Sequence, residues 1–163
     1  MTATNNLQKI DSVVFSNYIL KHYGPMSHLK LQKLLFYCDA YCLAYFGQEL
    51  VEDVFEAWVH GPVSRKVYDS LKDKSVLYSD LAYSDTGVDV DAAFAALSLA
   101  QKELITGTLD LLAAWTGLEL EASTHRELPW REARGGIDDG AKCHNPISKE
   151  ITMEFYRKEQ GWQ

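Results

Sequence analysis

The chain has 163 residues, 47% of them hydrophobic and 24% charged, with a formal net charge of −7 at pH 7. This composition is typical of one soluble globular domain and excludes an intrinsically disordered chain. The sequence has no apolar run long enough to span a bilayer, no signal-peptide pattern at its N-terminus, and an odd number of cysteines, which argues against a disulfide framework. We therefore expect a cytoplasmic protein.

The first predicted helix covers residues 8–23. Gly24 and Pro25 end it, because this pair is common just after a helix and proline cannot continue one. Its apolar side chains recur at helical spacing, which indicates one buried face. That face consists of Val14, Phe15, Tyr18 and Ile19.

The second predicted helix covers residues 27–46 and is apolar nearly all round. Ser27 is suited to cap its N-terminus, and Gly47 to end it. A helix of this kind belongs inside a bundle. We therefore predict a mainly α fold, with residues 1–163 forming a single compact domain around this central helix. The polar side chains that remain form a narrow stripe, predicted to face solvent or a partner: Lys30, Lys33, Tyr37 and Tyr41.

A small β element is predicted near residues 50–59. The segment is short, rich in Val, Phe and Trp, and partly alternating, which is typical of a strand or a hairpin arm. So short a sheet needs helices packed against it. Gly61 and Pro62 are predicted to break the strand, and Pro62 to open a helix over residues 63–71.

The whole negative excess lies in the middle of the sequence, where residues 73–122 hold two basic and nine acidic side chains. Such a segment repels a phosphate backbone and attracts a basic protein, so we expect no direct nucleic-acid partner. A solvated surface that keeps the domain soluble is the alternative interpretation. Within this region two tyrosines each precede Ser-Asp in an irregular stretch. They are candidate partner contacts, together with the two aspartates: Tyr78, Asp80, Tyr83 and Asp85.

Three further helices are predicted towards the C-terminus. A long one covers residues 91–115 and ends at Gly117. A short one starts at Pro129 and runs through Ala133, and the last, capped by Ser148, covers residues 149–158.

Little in the sequence supports a catalytic or a metal-binding site. Cys38 and Cys42 are four residues apart on the second helix, and Cys143 precedes His144, so a zinc site is conceivable. Core packing is the favoured interpretation, because both helical cysteines lie on the apolar face. A cysteine hydrolase built on Cys143 is a remote alternative. We predict no enzyme activity, cofactor or metal.

Two histidine-containing turns are open to two interpretations. His60 precedes a forced turn, and it either presents a site or hydrogen-bonds a nearby carbonyl group. In residues 124–130, Trp130 is predicted to be a core anchor. His125 either bonds across that turn or contacts a partner together with Arg126.

Three separated motifs resemble the Panacea-domain family of SocA-like and phage-associated GepA-like antitoxins. Residues 31–37 resemble its opening helix, residues 56–63 and 67–68 its central signature, and residues 124–130 its C-terminal element. His60 stands where an aromatic residue such as tyrosine is common in that family. The motif residues are expected to define the shared fold: Leu34, Trp58, His60, Gly61, Pro62, Val63, Tyr68, Pro129 and Trp130.

The resemblance implies an antitoxin that neutralises a cognate toxin by direct protein contact. Such proteins often lie in prophages and take part in phage defence. One branch instead acts as an adaptor that delivers its toxin to an ATP-dependent protease. Many members carry an added helix-turn-helix domain; this chain begins almost at the Panacea domain, so operator binding is not expected. The resemblance is compatible with a homo-oligomer or a toxin–antitoxin hetero-oligomer, and it implies no membrane partner.

Overall fold

A computed structural model describes residues 7–71 and 79–162. Within these ranges the fold is mainly α, as predicted, with two small antiparallel strand pairs beside the helices. The helices are α1 (Ser12–Tyr23), α2 (His28–Phe46), α3 (Arg65–Leu71), α4 (Val90–Ala95), α5 (Leu99–Leu112), α6 (Gly117–Arg126), α7 (Leu128–Arg134) and α8 (Lys149–Glu159). The strands are β1 (Met26–Ser27), β2 (Glu56–Trp58), β3 (Gly61–Val63) and β4 (Asp80–Leu81).

Helix α2 is the central element, as predicted. The Ser27 side chain accepts a hydrogen bond from the Lys30 amide, and Gly47 ends the helix in the left-handed conformation with φ of 74°. The helix packs against α1, α5, α6, α8 and β3. Because it is surrounded, all but a few of its side chains are buried, including Leu34.

Helix α1 is shorter at its start than predicted. Asp11 is its N-cap, and its carboxylate accepts hydrogen bonds from the amides of Val13 and Val14. The predicted end after Tyr23 is confirmed, with Gly24 as the C-cap.

The predicted strand over residues 50–59 is wrong at its start, because pairing begins only at Glu56. The amides of Leu50 and Val51 instead donate to the carboxylate of Asp39. The predicted break at residues 61–62 is also wrong, since those residues form β3 and pair back onto β2. Helix α3 therefore begins two residues later than predicted, at Arg65.

The single long helix predicted over residues 91–115 is two helices, α4 and α5. Ser98 caps α5, its side chain and that of Gln101 each accepting a hydrogen bond from the other's backbone amide. Gly117 does not end a helix but begins α6, which Thr116 and Glu119 cap in the same reciprocal way. The two capping boxes mark the starts of α5 and α6, which the apolar periodicity alone did not indicate.

Strand β4 lies in the segment predicted to be irregular and pairs antiparallel with β1. The candidate contact Tyr78 lies outside the described residues. Helices α7 and α8 fall close to their predicted positions, with Pro129 in the first turn of α7 and Ser148 capping α8. None of the described helices is both long enough and apolar enough to cross a membrane.

Candidate functional site

The three sequence motifs meet where the β2–β3 hairpin lies against α2 and α6. The Gln32 side chain donates to the Ser64 carbonyl group at 3.2 Å and accepts from the Ser64 amide at 2.9 Å. The Nζ atom of the next residue of α2, Lys33, donates to the carbonyl oxygen of Pro62 at 2.9 Å. Two buried side chains of α2 thus pair with the hairpin backbone as a neighbouring strand would. We call the contact of Gln32, Lys33, Gly61, Glu121 and Thr124 the hairpin junction.

Gly61 is required by the geometry of this junction. Its φ of +103° lies in a region that other residues rarely adopt. A Cβ atom there would lie 2.6 Å from Cε of Lys33 and 2.8 Å from Oγ1 of Thr124. A residue with a side chain would push α2 and α6 away from the hairpin.

Lys33 is fully buried, which contradicts the prediction that it faces solvent or a partner. Desolvation lowers the pKa of its ammonium from 10.5 to about 7, against the opposing attraction of the Glu121 carboxylate. The pattern misled because a lysine on a helix is almost always exposed. In this structure its side chain fastens the hairpin instead of touching a partner.

Glu121 connects this junction to the surface. Its Oε2 atom lies 3.2 Å from Nδ1 of His60, whose side chain is partly exposed. Its Oε1 atom is buried and has no hydrogen-bond partner within the described residues. His125 lies nearby, with its ring stacked on Trp130 at 4.1 Å between centroids, and burial lowers its pKa. The two titratable groups of the junction, Lys33 and Glu121, therefore have little contact with water.

The opposite side of the hairpin is held by α7. The Trp130 indole donates to the carbonyl oxygen of Trp58 at 2.8 Å, and Arg134 donates to that of Ala57 at 2.9 Å. Trp130 is almost completely buried, so the core-anchor prediction is confirmed. Pro62, Val63 and Pro129 are buried as well, whereas Trp58 and Tyr68 are only half-buried.

The predicted polar stripe of α2 is also wrong at Tyr37, which is 2% exposed. Its hydroxyl donates to the Glu127 carboxylate at 2.7 Å, and Tyr156 donates to the same oxygen. Tyr41 and Lys30 remain half-buried at the surface. The stripe is therefore divided, and only its two ends are available to a partner.

Residues 83–91 of the acidic middle segment form a cleft beside α1, distant in the chain from this stripe. Its volume is about 590 Å³, and we call it the acidic cleft. Lys21 lies over the Tyr83 ring and pairs with Asp91, while Asp85 is exposed. The charged and aromatic residues that line it are Lys21, Tyr83, Asp85, Asp89 and Asp91.

Of the other predicted contacts, Asp80 and Arg126 are exposed and His125 is half-buried. Sequence reasoning missed Glu121 and Glu127, the two carboxylates around which the buried polar contacts are arranged. Both follow the start of α6, and the capping box at Thr116 was the signal that would have located that helix.

Cys38 and Cys42 lie in the core, and Cys143 lies beneath the surface between the hairpin and α8. Cys38, Cys42 and Cys143 are buried free thiols. Burial raises the pKa of the first two thiols, which disfavours the thiolate form. Across residues 7–71 and 79–162 no group of three or more His, Cys, Asp or Glu side chains is arranged to hold a metal ion.

A curated protein and a family model match this sequence. A curated relative, Antitoxin SocA of Caulobacter vibrioides (strain NA1000 / CB15N), is 38% identical over 69 residues, which are 40% of this chain and 37% of the relative. The match thus covers little more than a third of that protein's length. No solved structure matches the chain. The family model described as antitoxin SocA-like, Panacea domain, matches residues 31–131. Because this match takes in more than half of the chain and all of the hairpin junction, the chain belongs to the SocA-like Panacea-domain antitoxin family.

Proposed function

We propose that this protein is an antitoxin that neutralises a cognate toxin by binding it directly, without catalysis. The observation that carries the proposal is the family match over residues 31–131. That range contains α2 from Leu31 onwards, the hairpin, all of α6, and α7 as far as Arg131. Its buried motif residues form contacts within the domain, so they support the fold and leave toxin recognition to side chains at the surface.

The contact surface that we propose is the acidic cleft with the exposed residues beside it. Asp80 and Asp85 are exposed, and Tyr83 offers an aromatic surface at the same cleft. Tyrosine gives a large contact area at a low cost in side-chain entropy. Clustered carboxylates speed the approach of a basic protein. We therefore propose a toxin with a basic surface.

Arg126 and the half-buried Lys30 and Tyr41 form further candidate contacts. The three buried free thiols suit a reducing compartment, which supports a cytoplasmic site of action. A complex there would form between the folded domain and its toxin, either one to one or as a larger hetero-oligomer.

The test is co-expression with a candidate toxin encoded by a reading frame that neighbours the gene. The neighbouring product should arrest growth alone, and growth should recover when this chain is present. The two proteins should then elute together from a size-exclusion column, and light scattering should give the mass of the complex. Recovery of growth without a stable complex would contradict neutralisation by binding.

The same experiment separates binding from proteolytic delivery. If the chain is an adaptor, the toxin should disappear faster when this chain and an ATP-dependent protease are both present. A toxin that stays intact in the complex, at the same rate of loss with and without protease, supports sequestration.

A further inference from the structure

A second surface, on the outer face of the hairpin, has the opposite charge character to the acidic cleft. A pocket of about 520 Å³ opens there between the hairpin, α3 and the loop that precedes α8. We call it the aromatic pocket. Its principal lining residues are Trp58, His60, Arg65, Tyr68, Lys142 and His144.

The pocket is built around the indole of Trp58. The Tyr68 ring meets it edge-on at 4.9 Å between centroids, and the His144 ring lies 5.4 Å away. The Arg65 guanidinium lies 5.2 Å from the centre of the indole, in cation–π geometry. Three ring systems and a planar cation thus surround one cavity.

A single carboxylate fixes the indole and the guanidinium in place. Glu56 accepts a hydrogen bond from Trp58 Nε1 at 2.8 Å, and the same oxygen lies 3.1 Å from Arg65 Nη2. These contacts orient both groups before any ligand arrives. Preorganised side chains lose little entropy on binding, which favours affinity.

The indole of Trp58 is partly exposed at this pocket. Trp58 and Tyr68 are half-buried, while Arg65, Lys142 and His144 are exposed. Tryptophan, tyrosine and arginine are the residues most often found at energetically dominant positions of protein interfaces. A motif tryptophan that is partly exposed at such a pocket is suited to contact with another molecule.

The charges of the pocket define that molecule. No carboxylate is among its lining residues, which include two cationic side chains and two imidazoles. The adjacent Glu56 pairs with Arg65 and compensates its charge, and the Glu121 carboxylate lies 3.2 Å from the His60 ring. Lys142 adds a further cation at the rim. Lys142 is thus the cation that the described carboxylates leave uncompensated at this pocket, on a chain whose net charge is −7.

We propose that the aromatic pocket binds an acidic peptide segment of the protein partner, with an apolar or aromatic side chain inserted against Trp58 and a carboxylate at Lys142. This inference rests on the proposed function for the identity of the partner. It adds a second, chemically opposite contact to the acidic cleft. A toxin would then be held at a basic surface and at an acidic segment, and the two contacts would fix its orientation.

The direct test uses a dye-labelled peptide, Glu-Glu-Phe-Glu-Glu, titrated with the full chain by fluorescence anisotropy. We expect saturable binding that weakens by roughly fivefold or more in Lys142→Glu. Lys158→Glu, the same reversal at an exposed lysine on α8, should change the affinity by less than about twofold, because long-range charge effects are screened by salt. No saturable binding, or equal weakening in both variants, would overturn the proposal.

Two further probes decide what is recognised. Glu-Glu-Ser-Glu-Glu should bind more weakly than the phenylalanine peptide, because it lacks the side chain that fills the pocket. Inorganic phosphate should not displace the peptide any better than sodium chloride of equal ionic strength. Equal binding of both peptides, or specific displacement by phosphate, would show a simple anion site and refute a peptide site.

Toxin capture separates this inference from the proposed function. If the wild-type chain captures the toxin and Lys142→Glu captures it equally well, the pocket is not a toxin contact and the antitoxin function stands. If the wild type captures no toxin, the proposed function fails, while the peptide titration still decides whether the pocket binds acidic segments.

Discussion

The ammonium group of Lys33 donates to the carbonyl oxygen of Pro62 at 2.9 Å in a site that has no contact with solvent. Burying a charge is unfavourable unless it is paired at close range. Burial lowers the pKa of Lys33 to about 7, below its ordinary 10.5. Near neutral pH the folded protein therefore holds this side chain at the boundary between its charged and neutral forms.

This relationship predicts a dependence of stability on pH. Between pH 7 and 10.5 the unfolded chain binds more protons at Lys33 than the folded chain does, so the contribution of this residue to the free energy of unfolding rises with pH. Over the full interval the rise approaches roughly 5 kcal/mol, since one pKa unit is about 1.4 kcal/mol. Lys33→Met should lack it.

The measurement is urea unfolding of both proteins at several pH values in this interval. The unfolding free energy of the wild type minus that of Lys33→Met should increase as the pH rises. Lys158→Met, at an exposed position, should run parallel to the wild type. Parallel curves for Lys33→Met would mean that Lys33 titrates normally and is not buried as described.

Substitution of Gly61 by alanine should destabilise the protein by roughly 1–3 kcal/mol, because a positive φ and close contacts act together. Those contacts are the Lys33 side chain and the Thr124 hydroxyl. Gly136→Ala is the matched control, since no atom lies within 4 Å of its Cβ position. Thermal melting of the two variants should show a lower Tm for Gly61→Ala alone. Equal Tm values would exclude a tight hairpin junction.

Lys149→Met should cost roughly 3–5 kcal/mol at pH 7, because it leaves a buried charge without its partner. Lys149 lies 2.8 Å from the Asp39 carboxylate, which is 1% exposed and also accepts the amides of Leu50 and Val51. Burial raises the pKa of Asp39, and Lys149 lowers it in part. In the variant the pKa of Asp39 rises further, so the deficit should shrink as the pH falls and Asp39 becomes protonated.

Chemical unfolding at neutral and acidic pH checks this prediction. Lys9→Met removes an exposed lysine that pairs with Glu49 and Glu52, and it should change stability by about 1 kcal/mol or less. If both variants lose the same small amount, Asp39 is not the buried acceptor that connects α2, the following loop and α8.

The two motif tryptophans should differ in their effect on stability. Trp130→Ala should cost roughly 3–5 kcal/mol, because the ring is almost fully buried. Trp58→Ala should cost less, because that ring is half-buried, and its main effect should be on acidic-peptide affinity. Unfolding free energies of the two variants give the comparison. A larger loss for Trp58→Ala would make it a core residue and remove the reason to place it in a pocket.

Charge reversal at two exposed aspartates of the acidic middle segment should slow toxin association. Asp80→Lys and Asp85→Lys together should reduce the association rate by roughly tenfold at low salt, and less at high salt, because salt screens exposed charges. Asp89 is left in place because it caps α4. Surface plasmon resonance against the captured toxin measures the rate. Glu154→Lys with Glu159→Lys, on α8, is the control, and an equal slowing there would place the toxin elsewhere.

Local signals in the sequence were sufficient to predict the central helix, but they could not predict the contacts that this helix makes. Ser27 and Gly47 mark both ends of α2, and apolar residues on every face indicate burial. Nothing local shows that Lys33 reaches the carbonyl group of Pro62, because that contact joins residues 29 positions apart. A lysine within a polar stripe is ordinarily exposed, so the most informative polar residue was assigned to the wrong environment.

The helix boundaries that were predicted wrongly share a physical cause. Apolar periodicity continues through the turn between α4 and α5, and only the reciprocal cap of Ser98 and Gln101 shows that the chain restarts. Gly117 looked like a helix end because glycine commonly follows one. The Thr116 cap, with Glu119 three residues later, shows that it starts one.

The way the hairpin is enclosed also limits how this protein can recognise others. On the outer side of β2, Ala57 donates to the Asn145 carbonyl group and Phe55 accepts from the Ile147 amide. The side chains of Trp130 and Arg134 donate to the carbonyl groups of β2 residues, as described above. Lys33 donates to the carbonyl group of Pro62 on β3. An incoming strand therefore finds these main-chain positions already used and cannot extend the sheet there. Specificity at this face must come from the identity of outward-pointing side chains, which can be exchanged one at a time while the framework beneath them stays the same.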